Sequence, residues 1–181
     1  MKTLIPISIV LIVYVGFIVC VTLSIPHLPN LVASHFDERG QPDQWVSRSS
    51  FVMFSLIFES AQIFVLLMIS FIFSFICKFL PDSLINLPHR DYWLAPERRA
   101  ETKNCIFRQG LWFSCLCACF ITGIMFLGVY ANMRVPVEWS IGEFIALLIC
   151  FLAGTFIWAL ISWLHFKRLP KNTDQNRSAS T

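Results

Sequence analysis

The residue of this sequence best suited to chemistry is Glu59, a carboxylic acid inside a long apolar segment. Ser55, Glu59 and Gln62 follow an i, i+4, i+7 spacing, which places them on one face of a helix. A carboxylate at membrane depth costs at least about 2.5–3.5 kcal/mol, so its side chain must face a partner or a wet cavity. This polar stripe is therefore a candidate site for relaying protons or for binding an ion or another ligand.

A structural interpretation of Glu59 stands beside the functional one. A protonated or hydrogen-bonded glutamate can join two helices, and this requires only Gln62, Tyr14 or Thr122 nearby. A second acid, Glu143, lies at the start of the last apolar segment, where an acidic side chain suits a helix N-terminus. The sequence leaves open whether Glu59 is functional or structural, whereas it favours a structural role for Glu143.

Other groups of reactive residues carry weaker signals. His27, His35, Asp37 and Asp43 are suitable zinc ligands by type, but their spacing matches no specific metal site. The seven cysteines lie within or at the ends of apolar segments, as small apolar fillers do. The sequence contains no HExxH, GxSxG, P-loop or GxGxxG motif. We therefore expect no metal, no cofactor and no enzymatic activity.

Four apolar segments must position these residues, and each is long enough for a helix to cross a bilayer, which takes roughly 20 residues. The predicted helices cover about residues 4–25, 51–80, 106–130 and 141–166. Hydrophobic residues make up 56 % of the 181-residue chain and charged residues only 14 %, so little remains for a soluble domain. We predict an all-α integral membrane protein, an antiparallel four-helix bundle formed by residues 1–169, with a disordered tail over 170–181.

The distribution of positive charge predicts the orientation. Eleven of the 14 lysines and arginines lie in the N-terminus, the middle loop or the tail, and three lie in the other two connections. The positive-inside rule then places both termini and the middle loop in the cytoplasm. The expected location is a bacterial inner (plasma) membrane, with the lipid bilayer as partner. No basic, aromatic patch or helix-turn-helix pattern suggests nucleic acid.

The connections carry their own turn signals. Gly40 and Pro42 mark a tight reversal in the outer segment 26–50, which we expect to form an ordered extracytoplasmic loop. Ser49 or Ser50 is predicted to cap the second helix. In the middle loop, Pro96 suits the first turn of a helix that runs directly into the third apolar segment.

Two stretches resemble a known family. Residues 28–45 read LPNLVASHFDERGQPDQW, similar to the LPxxVxxHFxxxGxPDxW signature of a bacterial membrane domain of unknown function that is best known from SdpI-like proteins. Residues 85–99 read INLPHRDYWLAPERR, similar to the NxPxxxYWLAPERR loop of uncharacterised members. The outer-loop motif comprises His35, Phe36, Gly40, Pro42, Asp43 and Trp45. The cytoplasmic-loop motif comprises Asn86, Pro88, Tyr92, Trp93, Pro96, Glu97, Arg98 and Arg99.

The resemblance implies a non-enzymatic function. SdpI-like proteins are immunity factors against a secreted killing peptide, so we expect immunity or sensing towards a membrane-active peptide. The implied partner is such a peptide or another membrane protein. The alternative is a small transporter or ion-coupled membrane protein that uses Glu59. A third hypothesis, an enzyme acting on lipid through Tyr92, Trp93, Arg98 and Arg99, lacks a nucleophile or metal motif.

Overall fold

The computed structural model describes residues 4–79, 81 and 85–169, with the side chains of residues 73, 74 and 76–79 left out. The elements are α1 (Leu4–Ser24), a 3-10 turn (Ile25–His27), β1 (Leu31–Phe36), β2 (Pro42–Ser47), α2 (Arg48–Phe79), α3 (Arg90–Trp93), α4 (Arg99–Ala131) and α5 (Ile141–Lys167). Four of these helices, α1, α2, α4 and α5, are long and apolar enough to span a membrane, which confirms the predicted number of helices. The tail expected at 170–181 lies outside the described residues.

Helix α2 begins three residues earlier than its apolar segment, at Arg48. The hydroxyl of Ser47 accepts a hydrogen bond from the backbone N–H of Ser50 at 3.2 Å, so Ser47 is the capping residue. The prediction that Ser49 or Ser50 caps this helix was wrong. The hydroxyls of both residues contact Ser47 instead, at 3.0 Å and 2.8 Å.

Helix α4 begins at Arg99, before the apolar segment and after the predicted proline start. The backbone N–H groups of Arg98 and Arg99 both donate to the carbonyl of Ala95 at 2.9 Å, so Pro96 lies in a turn rather than in the helix. The helix nevertheless continues into the third apolar segment, as expected. Its first turns are polar and precede the predicted range of 106–130, so the helix is longer than predicted at its N-terminal end.

Helix α4 is the centre of the helical packing and contacts α1, α2 and α5. One buried cluster joins Phe17 and Val21 of α1 to Phe51 of α2 and Val129 of α4. A second cluster lies further along these helices and comprises Val10, Ile63, Cys115 and Ala118. Helix α1 therefore runs antiparallel to α2 and parallel to α4.

Helix α5 packs mainly against α4. Of its described residues only Phe166 is buried, while apolar side chains such as Phe156, which is 69 % exposed, point away from the protein. Large apolar side chains are also exposed on α1 and α2, for example Ile12 and Phe71. Such a surface is unfavourable in water and suits a hydrocarbon environment.

The segment between α1 and α2 folds into an antiparallel two-stranded hairpin of β1 and β2. Val32 pairs with Val46 and Ala33 with Trp45, and the register shifts on either side of His35. The reversal predicted near Gly40 is present, because this residue has a φ of +80°, a conformation that favours glycine. The chain is thus mostly helical, and the loop adds a small sheet that the sequence did not predict.

Candidate functional site

Glu59 lies completely buried on α2, between the two apolar clusters. Its Oε1 atom accepts a hydrogen bond from the hydroxyl of Thr122 on α4 at 2.5 Å. The same oxygen accepts a bond from the side-chain amide of Gln62 at 3.2 Å. The carboxyl group therefore links α2 to α4 through Thr122, and Gln62 is a second neutral partner on its own helix, as the structural interpretation requires.

Two of the three partners considered from the sequence, Gln62 and Thr122, contact Glu59. Tyr14 of α1 does not, because its hydroxyl pairs with the hydroxyl of Ser60 on α2 at 2.8 Å. Ser60 also donates to the carbonyl of Leu56 in its own helix. Tyr14 therefore joins α1 to α2 at a separate polar contact beside the Glu59 site.

The polar stripe also contains buried oxygen atoms that have no hydrogen-bond partner among the described residues. These atoms are Oε2 of Glu59, the hydroxyl of Ser55 and Oε1 of Gln62. Most buried polar atoms in proteins are paired, so such a group requires an explanation, for example a bound water or ion. All three atoms can accept a hydrogen bond or coordinate a cation, so the site has the chemistry to hold a proton, a water molecule or a small cation.

The outer-loop motif builds the turn and the strands of the hairpin. Nδ1 of His35 lies 2.6 Å from Oδ1 of Asp43 across the two strands. Oδ1 of Asp37 accepts hydrogen bonds from the backbone N–H groups of Arg39 and Gln41, both at 2.8 Å, which closes the turn around Gly40. These polar residues, considered above as zinc ligands by type, thus have structural partners within the hairpin.

Asn132, just after α4, fixes the hairpin to the helices. The backbone N–H of Ala33 donates to Oδ1 of Asn132 at 2.7 Å, and Nδ2 of Asn132 donates to the carbonyl of Ala33 at 3.0 Å. Asn132 is only 2 % exposed, and its Nδ2 also donates to the carbonyl of Gly128. Sequence reasoning missed this residue, although a buried asparagine at the end of an apolar segment was a visible signal.

The turn of the hairpin packs against the connection between α4 and α5. The backbone N–H of Trp139 donates to the carbonyl of Gly40 at 2.9 Å, and its ring lies 5.7 Å from that of Phe36. A Cβ atom on Gly40 would collide with the carbonyl oxygen of Trp139. Gly40 and Phe36 of the predicted motif are therefore packing residues of a hairpin that is fixed on two sides.

Glu143 occupies the first turn of α5, as predicted from its position. Its backbone N–H donates to the hydroxyl of the capping residue Ser140 at 3.3 Å. Its carboxylate also forms an ion pair with Arg134. The hydrogen bond from Arg134 to this carboxylate raises the pKa of Arg134 above its usual value.

The cytoplasmic-loop motif joins α3 to α4 and α5. The guanidinium carbon of Arg98 lies 3.9 Å from the centre of the Tyr92 ring, and its Nη1 donates to the carbonyl of Tyr92. Nε1 of Trp93 donates to the carbonyl of Phe166 at 2.7 Å. Tyr92, Trp93 and Arg98 therefore have structural roles, whereas Pro96 and Glu97 are exposed.

Asn86 and Pro88 of the same motif line an apolar groove of about 540 Å³. We call it the lateral groove; it lies on α4, between Ile69 of α2 and the α5 residues Trp158, Ser162 and Trp163. Nε1 of Trp158 donates to the carbonyl of Gln109 at 3.0 Å, so this indole joins α5 to α4. Sequence reasoning did not predict the groove, because three elements distant in sequence form it.

Cys105 has a histidine as a polar neighbour. Sγ of Cys105 lies 3.5 Å from Nε2 of His165, and the imidazole stacks on Trp93 with 5.5 Å between ring centres. Cys105 and Cys115 are buried, as apolar fillers are. Among residues 4–79 and 85–169, no three histidine, cysteine, aspartate or glutamate side chains gather into a group suited to a metal.

The comparisons with known proteins match one part of the chain. Residues 8–58 match a family model described as a domain of unknown function, DUF1648. No curated protein matches the chain. No solved structure matches it either. The matched segment contains most of α1, the complete hairpin with the outer-loop motif, and the start of α2, and it ends directly before Glu59. The hairpin thus lies entirely within the segment that matches the uncharacterised family.

Proposed function

We propose that this protein is a non-enzymatic, multi-pass protein of a bacterial inner (plasma) membrane, an antiparallel bundle with the hairpin outside and both termini in the cytoplasm. The support comes from the four long apolar helices and from the concentration of lysine and arginine in the segments assigned to the cytoplasm. With this orientation, Asn132 and Trp139 hold the hairpin at the extracytoplasmic surface of the inner membrane.

The proposed activity is immunity or sensing towards a membrane-active peptide that binds at the hairpin. The observation that carries the proposal is the outer edge of β2, along which no other strand pairs among the described residues. Ala33 directs its N–H and C=O away from β2 to Asn132, so its pair partner Trp45 directs its own backbone groups to the opposite edge. An extended peptide can add to such an edge as a further strand.

The exposure of the hairpin fits this activity. Trp45 is 47 % exposed and lies on the free strand, where an aromatic side chain can contact both a peptide and the membrane interface. The matched family segment contains the entire hairpin, so the feature proposed to bind peptide lies within the segment shared with that family.

A gene-deletion strain challenged with membrane-active peptides and ionophores tests the proposal. We expect deletion to sensitise cells to a peptide, and Trp45→Ala to complement poorly. Leu31→Ala is the matched control, because Leu31 is an exposed apolar residue on the other strand. Equal complementation by both variants would remove the side chain of Trp45 from the proposed peptide contact.

The second candidate function is ion-coupled transport, favoured by the buried Oε2 atom of Glu59, which has no hydrogen-bond partner among the residues that the structure describes. A proton relay needs a group that can gain and lose a proton, and a cation site needs a group that can bind and release the cation. The Oε2 atom of Glu59 can do either. Within this proposal, Ser55 and Gln62 supply the remaining oxygen atoms.

Glu59→Gln separates the structural and the transport roles. The amide retains hydrogen bonding but cannot bind a proton or a cation as a carboxylate does. If Glu59 couples ions, the variant should fold normally and lose activity in the assay that gives the deletion phenotype. Glu138→Gln makes the same chemical change at an exposed position and serves as the control. Full complementation by Glu59→Gln would exclude ion coupling at this residue.

A further inference from the structure

The lateral groove has an open mouth and a closed inner end. Ile69 and Trp163 at its sides are 54 % and 48 % exposed, whereas Ile85 and Phe166 deeper inside are 7 % and 5 % exposed. Its polar groups are largely used within the protein, since the hydroxyls of Ser70 and Ser114 pair at 2.8 Å and that of Ser162 donates to the carbonyl of Trp158. The surface offered to a ligand is therefore mainly apolar.

In a bilayer, an apolar groove of this kind is next to lipid. Ile69 belongs to a helix long and apolar enough to span a membrane, so the part of the groove mouth that it lines faces hydrocarbon when this helix is inserted. Condensed phases leave few voids, and water is disfavoured where polar partners are few. The neighbouring material that fits is a lipid acyl chain.

A positive charge lies beside the groove. Nζ of Lys167, the last residue of α5, is 4.3 Å from the centre of the Trp163 ring. Tryptophan and lysine at the end of an apolar helix occupy the level of the lipid headgroups. An acyl chain in the groove therefore places its headgroup close to this ammonium, which favours an anionic phosphate.

We propose that the lateral groove binds one acyl chain of an anionic phospholipid, with the headgroup phosphate at Lys167. This inference rests on the proposed membrane location but is independent of the peptide-binding and ion-coupling roles. It also gives Asn86 and Pro88 of the cytoplasmic-loop motif a role, since they form part of the groove wall.

Photo-crosslinking in nanodiscs tests the proposal. The full chain is placed in phosphatidylcholine nanodiscs containing a trace of phosphatidylglycerol with a diazirine in its acyl chain, and labelled residues are mapped by mass spectrometry. We expect labelling of Phe113 and Trp158 inside the groove. Ser162→Phe should fill the groove and abolish this labelling. Ala153→Phe, at an exposed position of the same helix, should leave it unchanged.

The headgroup contact has its own measurement. Lys167 is exposed, so Lys167→Gln should fold normally and reduce the preference for phosphatidylglycerol over phosphatidylcholine probes about five-fold. Equal labelling by both probes in the unaltered protein would overturn the anionic part of the proposal.

Two further outcomes distinguish a failure of the acyl-chain site from a failure of membrane insertion. Groove labelling that survives Ser162→Phe, or labelling confined to exposed faces of α1 and α2, would overturn the acyl-chain site while leaving membrane insertion intact. The absence of labelling anywhere would overturn insertion itself, and the site with it.

Discussion

Asn132 pairs with both backbone groups of Ala33, at 2.7 Å and 3.0 Å, although 99 residues separate the two in the chain. The asparagine amide acts as a short piece of neighbouring strand, since it offers one donor and one acceptor to the edge of β1. The hairpin is thereby attached to α4, the helix that also carries Thr122. The hairpin and the buried polar site are therefore both supported by α4.

Replacing Asn132 should release the hairpin. Asn132→Ala leaves the N–H and C=O of Ala33 buried without partners, so we expect a loss of about 1–3 kcal/mol in the free energy of unfolding for each orphaned group. The measurements are thermal unfolding in detergent and the rate of proteolysis in the turn at residues 37–41. Asn30→Ala changes an exposed asparagine before β1 and should have little effect. Unchanged proteolysis of Asn132→Ala would refute the attachment.

Gly40 should tolerate no side chain. Gly40→Val combines a φ of +80° with a Cβ that collides with the carbonyl of Trp139, so a loss of about 1–3 kcal/mol is expected. Gly16→Ala is the control, because no atom lies within 4 Å of the added Cβ in α1. The melting temperature in detergent should fall for the first variant only. Equal melting temperatures would count against a fixed hairpin.

The link between α2 and α4 should depend on the hydroxyl of Thr122. Thr122→Val keeps the shape but removes the hydrogen bond to Glu59, and we expect a loss of about 1–3 kcal/mol in unfolding free energy. Thr22→Val is matched to it, since the hydroxyl of Thr22 bonds only the carbonyl of Ile18 in its own helix among the contacts described. A smaller effect at Thr122 than at Thr22 would show that Glu59 finds other partners.

The topology is open to a direct test. In a variant with its cysteines replaced by alanine, Gln41→Cys should react with an impermeant thiol reagent added to intact cells, because the hairpin is placed outside. Asn104→Cys, near the start of α4, should react only after the cells are permeabilised. Labelling of Asn104→Cys in intact cells would reverse the proposed orientation.

The sequence predicted the features that depend on local patterns. The four helices follow from the lengths of the apolar segments, and the burial of Glu59 follows from the cost of exposing a carboxylate to lipid. The turn at Gly40 follows from its glycine and proline. Each of these properties depends on residues that are close in the sequence, within about one helical turn or one apolar segment.

The features that were missed depend on contacts between distant segments. Nothing near Ala33 indicates that Asn132 will pair with it, and nothing near Gly40 indicates Trp139. The starts of α2 and α4 were misplaced because apolar content marks the membrane-spanning part of a helix, whereas the helix itself begins where its backbone is capped. The lateral groove likewise arises only when α2, α4 and α5 come together.

The contacts that attach the hairpin also define which residues a fragment must contain if the hairpin is to stay in place. The matched segment, residues 8–58, includes the whole hairpin but neither Asn132 nor Trp139. The segment that matches the family model is therefore shorter than the part of the chain that holds the hairpin in place. A chimeric protein that contains this segment would therefore also need the C-terminal end of α4. Otherwise a helix of the host protein would have to supply an equivalent amide at the edge of β1.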